Sequence, residues 1–222
     1  METIVIKNAV ERIRKELAGG NPYGEKITLV AATKTQTVEA INAAIEGGVD
    51  AVAENRVQEF RDKTGLLPCP KHFIGHLQTN KVKYLLGGVE LIHSCDRDEL
   101  AQTIATLSEK KGLKTSVLLQ VNIGNEETKG GFAFETAYDA FLQWKDRAGL
   151  QVEGFMAMLP NTDDRAYLTG LIKKMRALFE RAREKDERVK FLSMGMSGDY
   201  RLCVEHGSNT VRLGSTIFGQ RG

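Results

Sequence analysis

Short apolar runs alternate with longer amphipathic stretches along this 222-residue chain, and the alternation repeats eight times. The apolar runs are rich in branched and small residues, as strands of a covered parallel sheet are. They predict strands over 27–33, 50–53, 72–75, 90–94, 116–121, 151–156, 189–194 and 210–213. Because strands that alternate with helices form a parallel sheet, eight such steps predict an α/β fold, a (β/α)₈ barrel of the TIM type.

One further helix is predicted before the first strand. Ile6, Val10, Ile13 and Leu17 recur every three or four residues, and the pattern stops at Gly19-Gly20. No linker or change of composition divides the chain, so we expect residues 1–222 to form a single domain. A doubly wound open sheet is the alternative architecture.

Charge and cysteine content exclude several classes of protein. Lys and Arg number 31 against 29 Asp and Glu, so the chain lacks the basic excess of a nucleic-acid-binding protein. No uncharged apolar run approaches the roughly 20 residues that span a bilayer, and Met1–Val10 does not resemble a secretory signal. Cys69, Cys95 and Cys203 are widely separated, which argues against a disulfide framework or zinc site. We therefore expect a cytoplasmic protein without nucleic-acid or membrane partners.

Polar residues follow the predicted strands at the point where each strand ends. In a (β/α)₈ barrel these carboxyl ends share one rim, where the chemistry takes place. The candidate residues there are Lys34, Glu54, Asn55, His76, Ser94, Asn122, Ser197, Gly214 and Ser215. The sequence thus predicts a functional site at this rim.

Lys34 is the candidate nucleophile. It comes directly after the first strand, in phase with Val30 and Ala32. If that face points into the barrel, desolvation lowers the lysine pKa and frees the amine for Schiff-base chemistry. The alternative is a solvated lysine at a strand end.

Two turns near the C-terminus are candidates for an anion site. Ser197 is predicted to cap the helix after the seventh strand, with Gly198 beside it, and Gly214-Ser215 opens the last helical turn. Loops after the seventh and eighth strands are the usual phosphate position in these barrels. Two ordinary capped turns are the alternative interpretation. At an earlier helix start, Asp96 and Glu99 predict a capping pair.

Arg212 is predicted to face the barrel interior, because Val211 and Leu213 on either side would face the helices. A buried arginine is costly unless it pairs with a carboxylate or engages a ligand, and both interpretations stay open.

The other polar candidates have weaker signals. On one strand, His72 and His76 would lie about 13 Å apart, too far to share a metal, so no metal site is predicted. His76 either lines the site or is a rim histidine. Asn55, with Glu54, either bonds a ligand or caps the next helix. Lys129 is expected to be a solvated loop lysine.

Eight sequence motifs, taken in order, resemble the YggS/PROSC family of pyridoxal 5'-phosphate (PLP) homeostasis proteins along nearly the whole chain. The motifs are ATKT (32–35), ENRVQE (54–59), FIGHLQTNK (73–81), HSCDR (93–97), VNIG (121–124), GFMA (154–157), LSMGMS (192–197) and VRLGSTIFG (211–219). Gly130-Gly131 departs from the family pattern, in which a small polar residue and a glycine are common after the lysine.

The resemblance implies the PLP-binding barrel shared with the N-terminal domain of alanine racemase. By matching position, Lys34 would form the internal aldimine with PLP, and Ser197, Gly214 and Ser215 would hold the phosphate. Arg212 would face the pyridine nitrogen, where a cation disfavours protonation of the ring. Asn55 and His76 would be neighbours of the cofactor.

The function implied by the resemblance is that of a monomeric, non-catalytic carrier that buffers PLP and delivers it to apo forms of PLP-dependent enzymes. Racemase catalysis needs a second proton-transfer group, which the resembling racemases complete with a C-terminal β domain. The chain ends at Gly222, and we expect no such domain. A weak PLP-dependent amino-acid racemase and a cofactor-free Schiff-base aldolase are the alternatives.

Overall fold

Eight parallel strands close into a barrel within residues 2–220, which the computed structural model describes. The barrel strands are β1 (Thr28–Ala32), β2 (Ala51–Glu54), β3 (Lys71–Phe73), β4 (Leu91–Cys95), β5 (Thr115–Asn122), β7 (Leu150–Ala157), β8 (Phe191–Ser193) and β9 (Thr210–Leu213), and a two-residue strand β6 (Phe132–Ala133) pairs with β5. Each barrel strand pairs with the next one along the chain, and β9 pairs with β1. This closure confirms the predicted (β/α)₈ barrel and excludes the open sheet.

Helices cover the outside of the barrel. They are α1 (Glu2–Leu17), α2 (Val38–Glu46), α3 (Val57–Thr64), α4 (Asp98–Lys110), α5 (Phe134–Trp144), α6 (Arg165–Lys185), α7 (Tyr200–Glu205) and α8 (Ser215–Phe218), with a 3-10 helix at Thr79–Tyr84. The predicted N-terminal helix is α1, whose residues Ile6, Val10 and Ile13 are buried. In the described part of the chain, none of the helices has the length and apolar character needed to cross a bilayer.

Apolar side chains form a large layer around the barrel and only small clusters inside it. The large layer lies between strands and helices and contains fully buried aromatic residues such as Phe73, Phe141, Phe155 and Phe179. Inside the barrel, the apolar groups form only small clusters, one of Val30, Ala51 and Ala53 and another of Leu91, Leu118 and Met156. The interior therefore leaves room for polar side chains.

The predicted Asp96–Glu99 capping pair is wrong. Helix α4 begins at Asp98, and Arg97 at its N-cap position makes no side-chain capping bond. The Asp96 carboxylate instead accepts a hydrogen bond of 2.6 Å from the guanidinium of Arg97. An ion pair with a neighbouring side chain has replaced the local cap.

Strand β7 carries an irregularity at Gly154. In the register between β5 and β7, Val117 pairs with Val152 but Leu119 pairs with Phe155, so β7 contains one extra residue. Gly154 has φ +144°, and a Cβ there would lie 1.9 Å from the backbone oxygen of Phe191 on β8. Only glycine fits this approach of two strands.

We expect Gly154→Ala to lower the free energy of unfolding by about 2–4 kcal/mol, because the added Cβ forces β7 and β8 apart. Gly170→Ala is the matched control, since an added Cβ on this exposed position of α6 meets nothing within 4 Å. That control should stabilise the protein by up to about 1 kcal/mol. Denaturant unfolding measures both variants, and equal stabilities would contradict the packing argument.

Candidate functional site

A cavity of about 320 Å³ opens at the rim formed by the carboxyl ends of the strands. Ligand pockets in proteins start at about this volume. Its walls are Ala32, Lys34, Gln36, Asn55, Ile74, Met156, Met158, Met196, Ser197, Gly198, Arg212, Gly214, Ser215, Phe218 and Gly219. The lining combines apolar side chains with an amine, a guanidinium, two hydroxyls and glycine backbone.

Every residue that the resemblance assigns to the cofactor lines the cavity except His76. Three other candidates at the rim, Glu54, Ser94 and Asn122, do not line it. The imidazole of His76 is exposed, and its Nδ1 lies 3.4 Å from the carboxylate of Asp96. Lys129 is also outside the lining; its ammonium pairs with Glu126 and donates to the carbonyl of Leu159 at 3.2 Å. Lys129 is therefore bonded to its own loop and to the segment after β7, rather than extended into solvent as the sequence suggested.

Lys34 is half-buried in the wall of the cavity and occupies a tight turn after β1. The backbone N–H of Gln36 donates to the carbonyl of Thr33 at 3.0 Å, which closes the turn around Lys34 and Thr35. Thr35 has φ +66°, as the third residue of a type II turn requires. The turn leaves the Lys34 side chain at the cavity and not at an ordinary solvated strand end.

Ser197 joins the two C-terminal turns. Its Oγ accepts hydrogen bonds from the backbone N–H groups of Gly214, at 3.3 Å, and Thr216, at 3.2 Å. The predicted role of Ser197 as a helix cap is wrong, because α7 begins at Tyr200 and Asp199 occupies its N-cap position. The serine instead fixes the start of α8 against the loop after β8.

The two turns have unpaired backbone N–H groups and open space beside them, which suits the binding of an anion. Within residues 2–220, the N–H groups of Ser197, Gly198 and Ser215 donate to no protein acceptor. A Cβ on Gly198 would meet no protein atom within 4 Å, and one on Gly214 would meet its nearest atom, the Ala32 oxygen, at 3.6 Å. Protein packing therefore does not require either glycine, and the space beside the free N–H groups stays open.

Arg212 is buried at the inner end of the cavity. Its guanidinium donates to the Ser193 carbonyl at 2.8 Å and Oγ at 2.5 Å, and to the Ala157 carbonyl at 3.1 Å. No carboxylate of residues 2–220 forms an ion pair with it, so the structural ion pair considered from sequence is not observed. Burial lowers the pKa of Arg212 to about 10, which still leaves a cation at neutral pH.

A row of buried polar side chains continues from Arg212 across the barrel interior, and sequence reasoning missed it. The Ser193 Oγ lies 2.9 Å from Nδ1 of His93, and Nε2 of His93 lies 3.0 Å from Nδ1 of His72. Arg212 donates to the Ser193 hydroxyl, and the tautomers of the two imidazoles set which atom donates in the other two contacts. We call Arg212, Ser193, His93 and His72 the polar row. Their shared inward phase was the available sequence signal.

Both histidines of the polar row are neutral near pH 7. Burial lowers the pKa of His72 from 6.5 to about 4. Burial, the neighbouring His72 and the charge of Arg212 hold the pKa of His93 well below its ordinary value.

We expect the free energy of unfolding to fall as the pH decreases from 6.5 to about 4. In the unfolded chain the imidazole of His72 takes up a proton at its ordinary pKa. In the folded protein the same imidazole stays neutral until about pH 4. Urea unfolding at several pH values measures the slope. His72→Gln should reduce the dependence of stability on pH. His206→Gln, at a histidine outside the polar row, should leave most of that dependence unchanged. An unchanged slope in His72→Gln would contradict the assignment.

Asn55 lines the cavity and has an unpaired side-chain acceptor. Its Oδ1 is buried and meets no donor in the described part of the chain. The capping alternative is not observed, because Arg56 occupies the N-cap position of α3 and no side chain caps there. Glu54 lies outside the cavity lining, where its carboxylate accepts a 2.7 Å hydrogen bond from the Thr33 hydroxyl. Asn55 therefore lines the cavity, whereas the neighbouring Glu54 lies outside its lining.

Comparison with known proteins agrees with this geometry. The alanine racemase N-terminal domain family matches residues 6–222. A pyridoxal phosphate homeostasis protein of Aquifex aeolicus is 39% identical over 222 residues, covering 97% of this chain and 96% of its own. The structure of an unknown protein from Bifidobacterium adolescentis has 29% identity and a TM-score of 0.91, covering 98% of this chain and 96% of its own. PipY of Synechococcus elongatus with PLP bound has 26% identity and a TM-score of 0.82, covering 96% of this chain and 100% of its own.

Proposed function

Since this chain belongs to the alanine racemase N-terminal domain family, and within it to the pyridoxal phosphate homeostasis proteins, we propose that it binds PLP on Lys34 for PLP homeostasis. The observation that carries the proposal is the cavity that brings Lys34 together with Arg212 and Ser197. An amine, a buried cation and an anion cradle are the groups that an aldehyde phosphate with a basic ring nitrogen needs.

The residues of the cavity fit PLP on several independent points. Gly198 and Gly214 keep space that protein packing does not use. Free backbone N–H groups at Ser197 and Ser215 are suitable donors to a phosphate, and Asn55 offers an unsatisfied acceptor. Arg212 is buried, and among the described residues it bonds carbonyl and hydroxyl groups and no carboxylate.

Each of these groups has a separate task. Bound PLP supplies an aldehyde, which condenses with a primary amine and releases water. The turn after β1 presents the Lys34 amine to the cavity, while Ser197 and Ser215 bind and orient the phosphate. Arg212 would hold positive charge near the ring nitrogen and would so disfavour its protonation. A less electron-withdrawing ring suits storage of the cofactor better than carbanion chemistry.

We further propose that residues 1–222 act as one PLP-binding domain, a cytoplasmic monomer that buffers PLP and delivers it to apo forms of PLP-dependent enzymes. The homeostasis role of the relatives supports buffering and delivery. Size-exclusion chromatography and PLP transfer to an apo-enzyme test these points. Substrate-dependent exchange of an amino-acid α-deuteron would favour the alternative, a racemase-like enzyme.

We expect Lys34→Ala to abolish covalent capture of PLP, because the variant lacks the amine that lines the cavity. The wild-type protein mixed with PLP should absorb near roughly 420 nm and, after borohydride reduction, carry the pyridoxyl group on Lys34 by peptide mass mapping. Lys110→Ala, on the far end of α4, is the matched control and should behave as wild type. Undiminished capture by Lys34→Ala would contradict the proposed attachment site.

Gly214→Ala tests the phosphate cradle separately from the fold. The backbone at Gly214 has φ −114° and ψ −80°, so alanine would meet no left-handed strain there, and its added Cβ has ordinary contacts only. We therefore expect thermal stability close to wild type but PLP affinity at least about tenfold weaker, because the Cβ occupies space beside the free N–H groups. Wild-type affinity, measured by absorbance titration, would show that the phosphate lies elsewhere.

A further inference from the structure

Three charged side chains form a cluster behind the turn that carries Lys34. The Lys63 ammonium lies 2.9 Å from Oε1 of Glu54 and 2.9 Å from Oε2 of Glu59. The Glu54 carboxylate is buried, and the other two side chains are mostly covered. None of the three lines the cavity. We call Glu54, Glu59 and Lys63 the charged clamp.

The charged clamp bonds the turn on both sides of Lys34. On the N-terminal side, Lys63 donates to the Thr33 carbonyl at 3.2 Å, and the Thr33 hydroxyl donates to Glu54 at 2.7 Å. On the C-terminal side, Glu59 accepts the backbone N–H of Thr35 at 2.7 Å. The backbone on both sides of Lys34 therefore depends on these three side chains.

The turn needs such support because it contains a strained residue. Thr35 has φ +66°, the left-handed region that favours glycine and is unfavourable for a β-branched residue. Such conformations persist when the surroundings over-determine them. The hydrogen bond from the Thr35 amide to Glu59 is the direct contact that holds this conformation in place.

Glu59 and Lys63 both keep their charge at neutral pH. Burial raises the pKa of Glu59, but hydrogen bonds from Lys63 and the Thr35 amide outweigh it and hold the pKa below its ordinary value. Burial lowers the pKa of Lys63, but hydrogen bonds to Glu54 and Glu59 outweigh it and raise the pKa. A charged acceptor makes the bond to the Thr35 amide stronger than a neutral one would.

We propose that Glu59 and Lys63, anchored by Glu54, are positioning residues for Lys34, which hold the strained turn in the conformation that presents the amine to PLP. This inference rests on the proposed function of Lys34. The charged clamp acts through the backbone of Thr33 and Thr35 and does not contact the cofactor.

Glu59→Ala is the primary test. It removes the acceptor of the Thr35 amide but leaves Lys63 bonded to Glu54 and Thr33, so the variant should fold. We expect PLP affinity about tenfold weaker, the size of effect expected from releasing one left-handed residue. Asp62→Ala is the matched control, because this exposed carboxylate on the same helix bonds no described residue except Gln58.

Rescue by glycine separates positioning from general stability. Thr35→Gly removes the strain at residue 35, so Glu59 should matter less in its presence. We expect Glu59→Ala/Thr35→Gly to bind PLP within about threefold of Thr35→Gly alone, a non-additive result for two contacting residues. Loss of affinity without rescue would overturn the proposal.

A measurement without PLP makes the two hypotheses distinguishable. Hydrogen–deuterium exchange of the apo-protein should be at least about tenfold faster at the Thr35 amide in Glu59→Ala than in wild type, because its acceptor is gone. If wild-type protein does not carry PLP on Lys34, the proposed function fails, whatever the exchange result. If wild type carries PLP and Glu59→Ala binds it equally well, the positioning role fails and the proposed function stands.

Discussion

Pairing of the first barrel strand with the last is the interaction on which the site depends. Strands β1 and β9 are parallel, with Val30 opposite Arg212, although these residues are 182 positions apart. This closure satisfies backbone hydrogen bonds that an open sheet would leave at its edges. It also sets the turn after β1 beside the turns after β8 and β9, so Lys34, Ser197 and Gly214 face one cavity.

A buried cation inside the barrel imposes a second constraint. A buried guanidinium such as that of Arg212 needs hydrogen-bond acceptors. Backbone carbonyl groups and the polar row provide them inside the barrel. The two histidines of the polar row are neutral, because burial lowers their pKa values. One side of Arg212 is thus satisfied by the protein, while the guanidinium still lines the cavity. The polar row and the charged clamp support the two ends of the same site from behind.

Sequence reasoning succeeded where the signal was periodic and erred where it was local. Short apolar runs predicted the strands, and the helical spacing of apolar residues predicted α1. The alternation of side chains along a strand predicted the inward face of Arg212. The signals at Asp96 and Ser197 are equally typical of helix caps, yet both side chains bond other partners. His76 follows a strand shorter than predicted, since β3 ends at Phe73, and its side chain lies outside the cavity. A capping pattern shows that a side chain could bond the start of a nearby helix. Hydrogen-bond partners elsewhere in the fold decide whether it does so.

The sequence by itself determined the barrel and the rim at which its polar residues collect, because apolar periodicity encodes which face of each element is buried. Its ordered motifs also indicated the family. Only the tertiary structure decided which polar groups support the site from behind. The partners are remote in sequence, 100 positions apart for His93 and Ser193 and 24 for Thr35 and Glu59. Hydrogen bonds act over about 3 Å, and the closed barrel is what brings such residues within that distance.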